Sequence, residues 1–133
     1  TCNSLGPNII LFDFGLGKKI DLFSYLIRTD TINRYSKYYC GNSFPFTWTI
    51  EGSNDKMNWT TLDKREEEVV LDGVGNEQLF DCQNNYNLHG NDDYMFRYIR
   101  YTQEKSIEHS QRYIPDGSID LDYFELYGDF YLD

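Results

Sequence analysis

Two histidines, three cysteines and several acidic pairs are the residues of this chain with chemistry to offer. His89 and His109 both fall in polar stretches, and neither sits beside a Gly-x-Ser-x-Gly elbow or a related nucleophile signature. Covalent catalysis needs a serine or cysteine beside a base that a third group orients, so both histidines read as ordinary loop residues. Cys82 precedes a loop containing His89, yet its apolar neighbours make it a small core or edge residue. Asp92-Asp93, Asp120 with Asp122, and Glu66-Glu67-Glu68 would suit glycoside hydrolysis only if two carboxyls faced each other across a cleft, roughly 5–10 Å apart. In so acidic a chain such pairs are expected on the solvated surface. A metal site from His89, Asp92 and Asp93 follows no known loop spacing. The expectation is a chain without catalytic residues, cofactor or metal.

Net charge sharpens that exclusion. Lys and Arg number 12 against 22 Asp and Glu, a formal charge of -10, which repels nucleic acid and anionic lipid. No apolar run approaches the roughly 20 residues of a membrane-spanning helix, so membrane insertion is not expected. Cys2, Cys40 and Cys82 are an odd set without Cys-x-x-Cys spacing. That points to reduced thiols and an intracellular, cytoplasmic setting over a secreted one, with a Cys40–Cys82 bridge left open. The 133 residues fit one domain with a self-sufficient core, and 17% aromatic content favours pleated, half-buried surfaces. The sequon Asn58-Trp59-Thr60 reads as a chance match.

The elements that must position any site read as short strands. Ile10, Phe12 and Phe14 alternate up to Gly15, and Gly15–Lys19 forms a hairpin-like turn. From Ile20 to Ile27 the apolar parity slips between Leu22 and Tyr25, the mark of a β-bulge. Trp48 and Ile50 share an inward face opposite Thr47, Thr49 and Glu51, and a Gly52-Ser53-Asn54-Asp55 turn leads to Trp59–Leu62. The charge run 63–68 reads as a solvated connection, followed by a strand at Leu79, Phe80 and Cys82. Tyr94–Thr102 is the longest clear strand, with Arg97 on its inward parity and Glu125 as the natural partner. The closing segment 118–128 slips parity between Leu121 and Phe124, a second expected bulge. Between the strands lie loops 29–44, 83–93 and 103–117. Such frequent short strands predict an all-β, antiparallel jelly-roll β-sandwich.

Four segments stand in a recognisable order: Phe12-Asp13-Phe14-Gly15; Trp48 to Glu51-Gly52-Ser53-Asn54-Asp55 and Trp59; Phe96-Arg97-Tyr98-Ile99-Arg100; and Phe124-Glu125-Leu126-Tyr127-Gly128. Together they resemble the discoidin, or coagulation-factor type C, domain of the galactose-binding-like superfamily. The likeness covers nearly the whole chain and implies one domain over residues 1–133, part of a longer chain, with the usual N-terminal segment short or missing. It implies a binding module, not an enzyme. The missing terminal cysteine pair is most similar to intracellular members, which accompany adaptors or sit in large assemblies. Glu125 matches an acidic position of the family's calcium site, but one glutamate does not hold calcium, so no metal is expected. Binding is expected from loops on the rigid sandwich. Arg34, Tyr35, Tyr38 and Tyr39 in the first loop, with Asn84, Asn85, Tyr86 and His89 in the second, are the candidates. Tyrosine beside arginine and asparagine suits a protein partner, or a glycan as the alternative.

Overall fold

Alternating apolar positions need sheets with one buried face, and the computed structural model supplies two. It describes residues 8–30, 35–36, 39–40, 43–108, 113–114 and 121–132. The strands are β1 (Ile9–Asp13), β2 (Lys18–Thr29), β3 (Tyr35–Ser36), β4 (Tyr39–Cys40), β5 (Ser43–Ser53), β6 (Thr60–Arg65), β7 (Glu77–Asp81), β8 (Tyr98–Glu108), β9 (Tyr113–Ile114) and β10 (Leu121–Leu132). One antiparallel sheet runs β1-β8-β5-β6, with β9 also on β8, and the other runs β10-β2-β7. β3 and β4 pair with each other. A single 3-10 turn, Asp92–Tyr94, is the helical element among the described residues. The all-β class is therefore as expected.

The core lies between the two sheets. Ile20, Leu22, Tyr25 and Ile27 of β2 meet Trp48, Ile50, Leu62, Ile99 and Tyr101 of the larger sheet. Aromatic rings bridge the layers: Trp48 to Phe80 at 5.1 Å, and Tyr101 to Phe124 at 5.1 Å. Tyr25 stacks on both Phe80 and Phe124. Each such pair adds about 0.5–1.5 kcal/mol beyond area burial. Phe12 on Phe124 and Phe14 on Phe130 close the side where β1 lies over β10.

Both parity slips are bulges. Tyr127 pairs Ser24 and Gly128 pairs Leu22, so Phe23 is the extra residue in β2. Leu121 pairs Thr29 and Tyr123 pairs Arg28, which leaves Asp122 extra in β10.

Several expectations need correction. The Gly15–Lys19 turn is no hairpin: β1 pairs with β8 while β2 pairs with β10 and β7, so the turn carries the chain between sheets. Gly15 and Gly17, at φ 102° and 75°, make that reversal without Cβ strain. The charge run is not all solvated, because Asp63, Lys64 and Arg65 finish β6 and Asp63 is fully buried. β8 begins at Tyr98, not Tyr94, and continues through the polar Gln103 to Glu108. Gln103 is buried because its side chain accepts from the Tyr101 hydroxyl and donates to Ser106 Oγ. The closing strand runs on past Gly128 to Leu132.

Candidate binding end of the sandwich

The recognisable segments are held to one another. Arg97 Nε and Nη2 donate to Asp13 Oδ1 and Oδ2 at 2.9 and 3.3 Å, a bidentate pair. Asn54 Oδ1 accepts the Arg97 amide at 3.0 Å while its Nδ2 donates to the Met95 carbonyl at 3.1 Å. Arg100 donates twice to Glu51 Oε1, and its guanidinium lies 3.8 Å from the centre of the Trp59 ring. The Phe96 ring lies against Gly52, where a Cβ would come within 2.2 Å of it. Segments 13–18, 51–59 and 94–100 therefore form one braced end. Arg97 does not point inward to Glu125, since the chain enters β8 only at Tyr98 and Phe96 takes the inward place. Hydrogen bonds from Arg97 hold the Asp13 carboxyl below its usual range. Glu125 instead accepts the hydroxyls of Tyr123 and Tyr127.

The loop between β5 and β6 is organised around one carboxylate. Asp55 Oδ1 accepts the Met57 and Asn58 amides, both at 2.8 Å, and Oδ2 accepts Asn58 Nδ2. Ser53 Oγ accepts the Asp55 and Lys56 amides. These bonds hold Lys56 at φ 63°, a left-handed conformation lysine rarely adopts unaided. The result is a fixed loop with Met57 83% exposed at its tip. The crossing turn presents Leu16, 88% exposed, in the same way. A shallow depression lined by Leu16, Gly17, Lys18, Lys19, Asn54 and Arg97 joins the turn to the loop. Lys56 and Arg97 lie 4.9 and 4.7 Å from the ring of the buried Tyr98.

Acid should loosen this end first. Its bonds to Asn58 and Met57 hold the Asp55 carboxyl well below its ordinary 3.8. A depressed carboxylate stabilises the fold above its unfolded value, and that contribution is lost as pH falls through the lower folded one. Asp13 carries the same sign. Stability should therefore hold from neutral pH to about 4 and decline below it. An Asp55→Asn variant should start less stable and lose less on acidification. Trp59 fluorescence reports the loop, because its Nε1 donates to the Lys56 carbonyl at 3.2 Å. Identical acid profiles for variant and parent would remove Asp55 from this role.

The expected binding residues divide sharply. Asn84 is exposed but occupied, its amide and Nδ2 donating to the Leu62 and Thr61 carbonyls. Asn85 is buried and its Nδ2 donates to the Leu22 carbonyl at 2.9 Å. His89 Nδ1 lies 2.9 Å from Asp21 Oδ1, and the Gly90 amide donates to Oδ2. Cys82 bonds to the Phe23 carbonyl and Phe96 bridges to Ile20, so the whole segment 82–96 is stitched along β2. Tyr86, 66% exposed, is the large side chain that this second loop presents to solvent. Arg34 and Tyr38 lie outside the described residues, and Tyr35 and Tyr39 are described only as backbone pairing with Cys40 and Ser36. Leu16, Lys18, Lys56 and Met57 are absent from the expected set; the signal for them is an apolar residue inside a glycine-rich or polar turn.

Two further reactive groups among the described residues are accounted for. Cys82 is a free, buried thiol, not bridged to Cys40, and burial pushes its pKa up, which leaves it protonated and inert. Asp92 pairs loosely with Lys19 at 3.9 Å, away from the His89–Asp21 contact. Among the described residues, no group of three or more His, Cys, Asp or Glu side chains is placed to hold a metal ion. No described helix is long and apolar enough to cross a membrane. Comparison with protein-family models and with curated proteins finds no match for this chain.

Proposed function

We propose that this chain is a non-catalytic binding module, a discoidin-like jelly-roll domain that contacts a protein partner through its braced end. One observation carries the reading: two large apolar side chains, Leu16 and Met57, are held out to solvent on loops fixed by internal hydrogen bonds. Exposing apolar surface is unfavourable, and fixing it in advance lowers the ordering cost of association. The neighbouring Lys18 and Lys56 supply a polar rim. The contacts of Asp13 with Arg97, Asn54 with Arg97 and Glu51 with Arg100, and of Phe12 with Phe124, link the recognisable segments and support the family resemblance. The free Cys82 fits a reducing compartment.

The test is a double substitution, Leu16→Asp with Met57→Asp. Recovery of a stable partner by the parent should fall roughly 30-fold in affinity with the variant, as for anchor residues of an interface. Thermal stability should change by no more than about 0.5 kcal/mol, because both side chains are already in water. Unchanged partner capture overturns the reading. So does specific glycan binding that Tyr86→Ala abolishes.

A further inference from the structure

A second surface lies on the far side of β2 from segment 82–96. Edge strands display unpaired N–H and C=O groups, and most edges here are blunted. β1 and β7 are 5 residues each, and β6 is 6 residues ending in Lys64 and Arg65. β10 is different: 12 residues, bonded to β2 on one side, with no described strand on the other. It contains no proline and no lysine, and from Tyr123 to Leu132 its own alternation is unbroken. Its exposed side chains include Tyr123, Tyr127, Phe130, Tyr131 and Leu132. The strand end opens on an apolar hollow formed by Phe14, Lys18, Phe130, Tyr131 and Leu132.

Charge selects the occupant. β10 carries Asp122, Glu125 and Asp129 and no cation; Asp122 pairs with Arg28 of β2 at 3.2 Å, which leaves Glu125 and Asp129 as the carboxylates that set the charge of this edge. A second copy pairing through β10 would set acid against acid in a chain of net charge -10. We propose that β10 accepts an extended, basic segment of another protein as an added antiparallel strand. Main-chain bonds to the open edge would hold it, alternate Lys or Arg side chains would face Glu125 and Asp129, and an apolar residue would enter the hollow beside Phe130.

Three synthetic peptides test this against the full chain: lysine alternating with valine and tyrosine, its glutamate counterpart, and the lysine peptide N-methylated at every second residue. The lysine peptide should bind and slow amide exchange within Tyr123–Leu132, while the other two should not. Raising the salt concentration should weaken binding. Glu125→Lys with Asp129→Lys should cost at least about tenfold in affinity. Leu16→Asp with Met57→Asp should leave it unchanged, which separates this surface from the braced end. Equal binding of the N-methylated peptide, or no added protection in β10, overturns the proposal. Protection of β10 that grows with protein concentration in the absence of peptide also overturns it, in favour of self-pairing.

Discussion

Asp63→Ala will lower the midpoint of thermal unfolding by roughly 10 °C, the equivalent of about 3 kcal/mol for a chain of this size. Asp63 is fully buried at the middle of a chain of polar groups. The Trp48 indole Nε1 donates to the Tyr25 hydroxyl at 2.9 Å, and that hydroxyl donates to Asp63 Oδ2. Arg65 Nε donates to the same oxygen at 2.9 Å, and the Gln83 amide donates to Oδ1. Four strands or their ends are joined through this one carboxylate. Removing it strands the Tyr25 hydroxyl and a mostly buried guanidinium, the expensive way to break a buried pair. Asp63→Asn should be milder yet still costly, because its amide N–H would face groups that are all donors. Urea or thermal unfolding followed by tryptophan fluorescence reads the result directly. An alanine variant melting within a few degrees of the parent would show the network to be energetically idle.

Gly128→Ala should destabilise by about 3 kcal/mol or more, as overpacking against unyielding neighbours does. A Cβ at Gly128 would sit 2.1 Å from the Asp21 carbonyl oxygen and 3.1 Å from the Leu22 Cα. These are backbone atoms of the paired strand at the Phe23 bulge, so nothing flexible can yield. Gly52→Ala meets a different neighbour, the side chain of Phe96. The two substitutions should therefore respond differently to a second change. Phe96→Leu should recover part of the Gly52→Ala loss, while no single side-chain truncation should rescue Gly128→Ala. A double-mutant cycle on unfolding free energies separates them. Full stability of Gly128→Ala would show that β10 can shift away from β2 at the bulge.

The parity of apolar residues was enough to place Trp48 and Ile50 inside, to mark both bulges and to choose an all-β class, because side-chain direction in a strand alternates by local geometry alone. The same local rule misled wherever a polar residue was buried. Asp63 lies in a run of charges and is inside because Tyr25, 38 residues away, satisfies it, while Gln103, in a polar stretch, is satisfied by the nearby Tyr101 and Ser106. Arg97 had the right parity for the core and the wrong partner. Asp13, 84 residues away, receives it because β1 lies beside β8. The second expected loop shows a related effect. Asn84, Asn85 and His89 look like recognition residues in a list, and in the fold they fasten segment 82–96 to β2 and β6.

Composition and alternation thus determined that this chain forms stacked sheets with an acidic, aromatic surface, since burial of one face needs only the spacing of residues along the strand. Which polar groups are buried, which loops meet at one end and which strand has no described neighbour on one side were decided by strand pairing. Those outcomes depend on groups tens of residues apart becoming hydrogen-bond neighbours, a property no local pattern encodes.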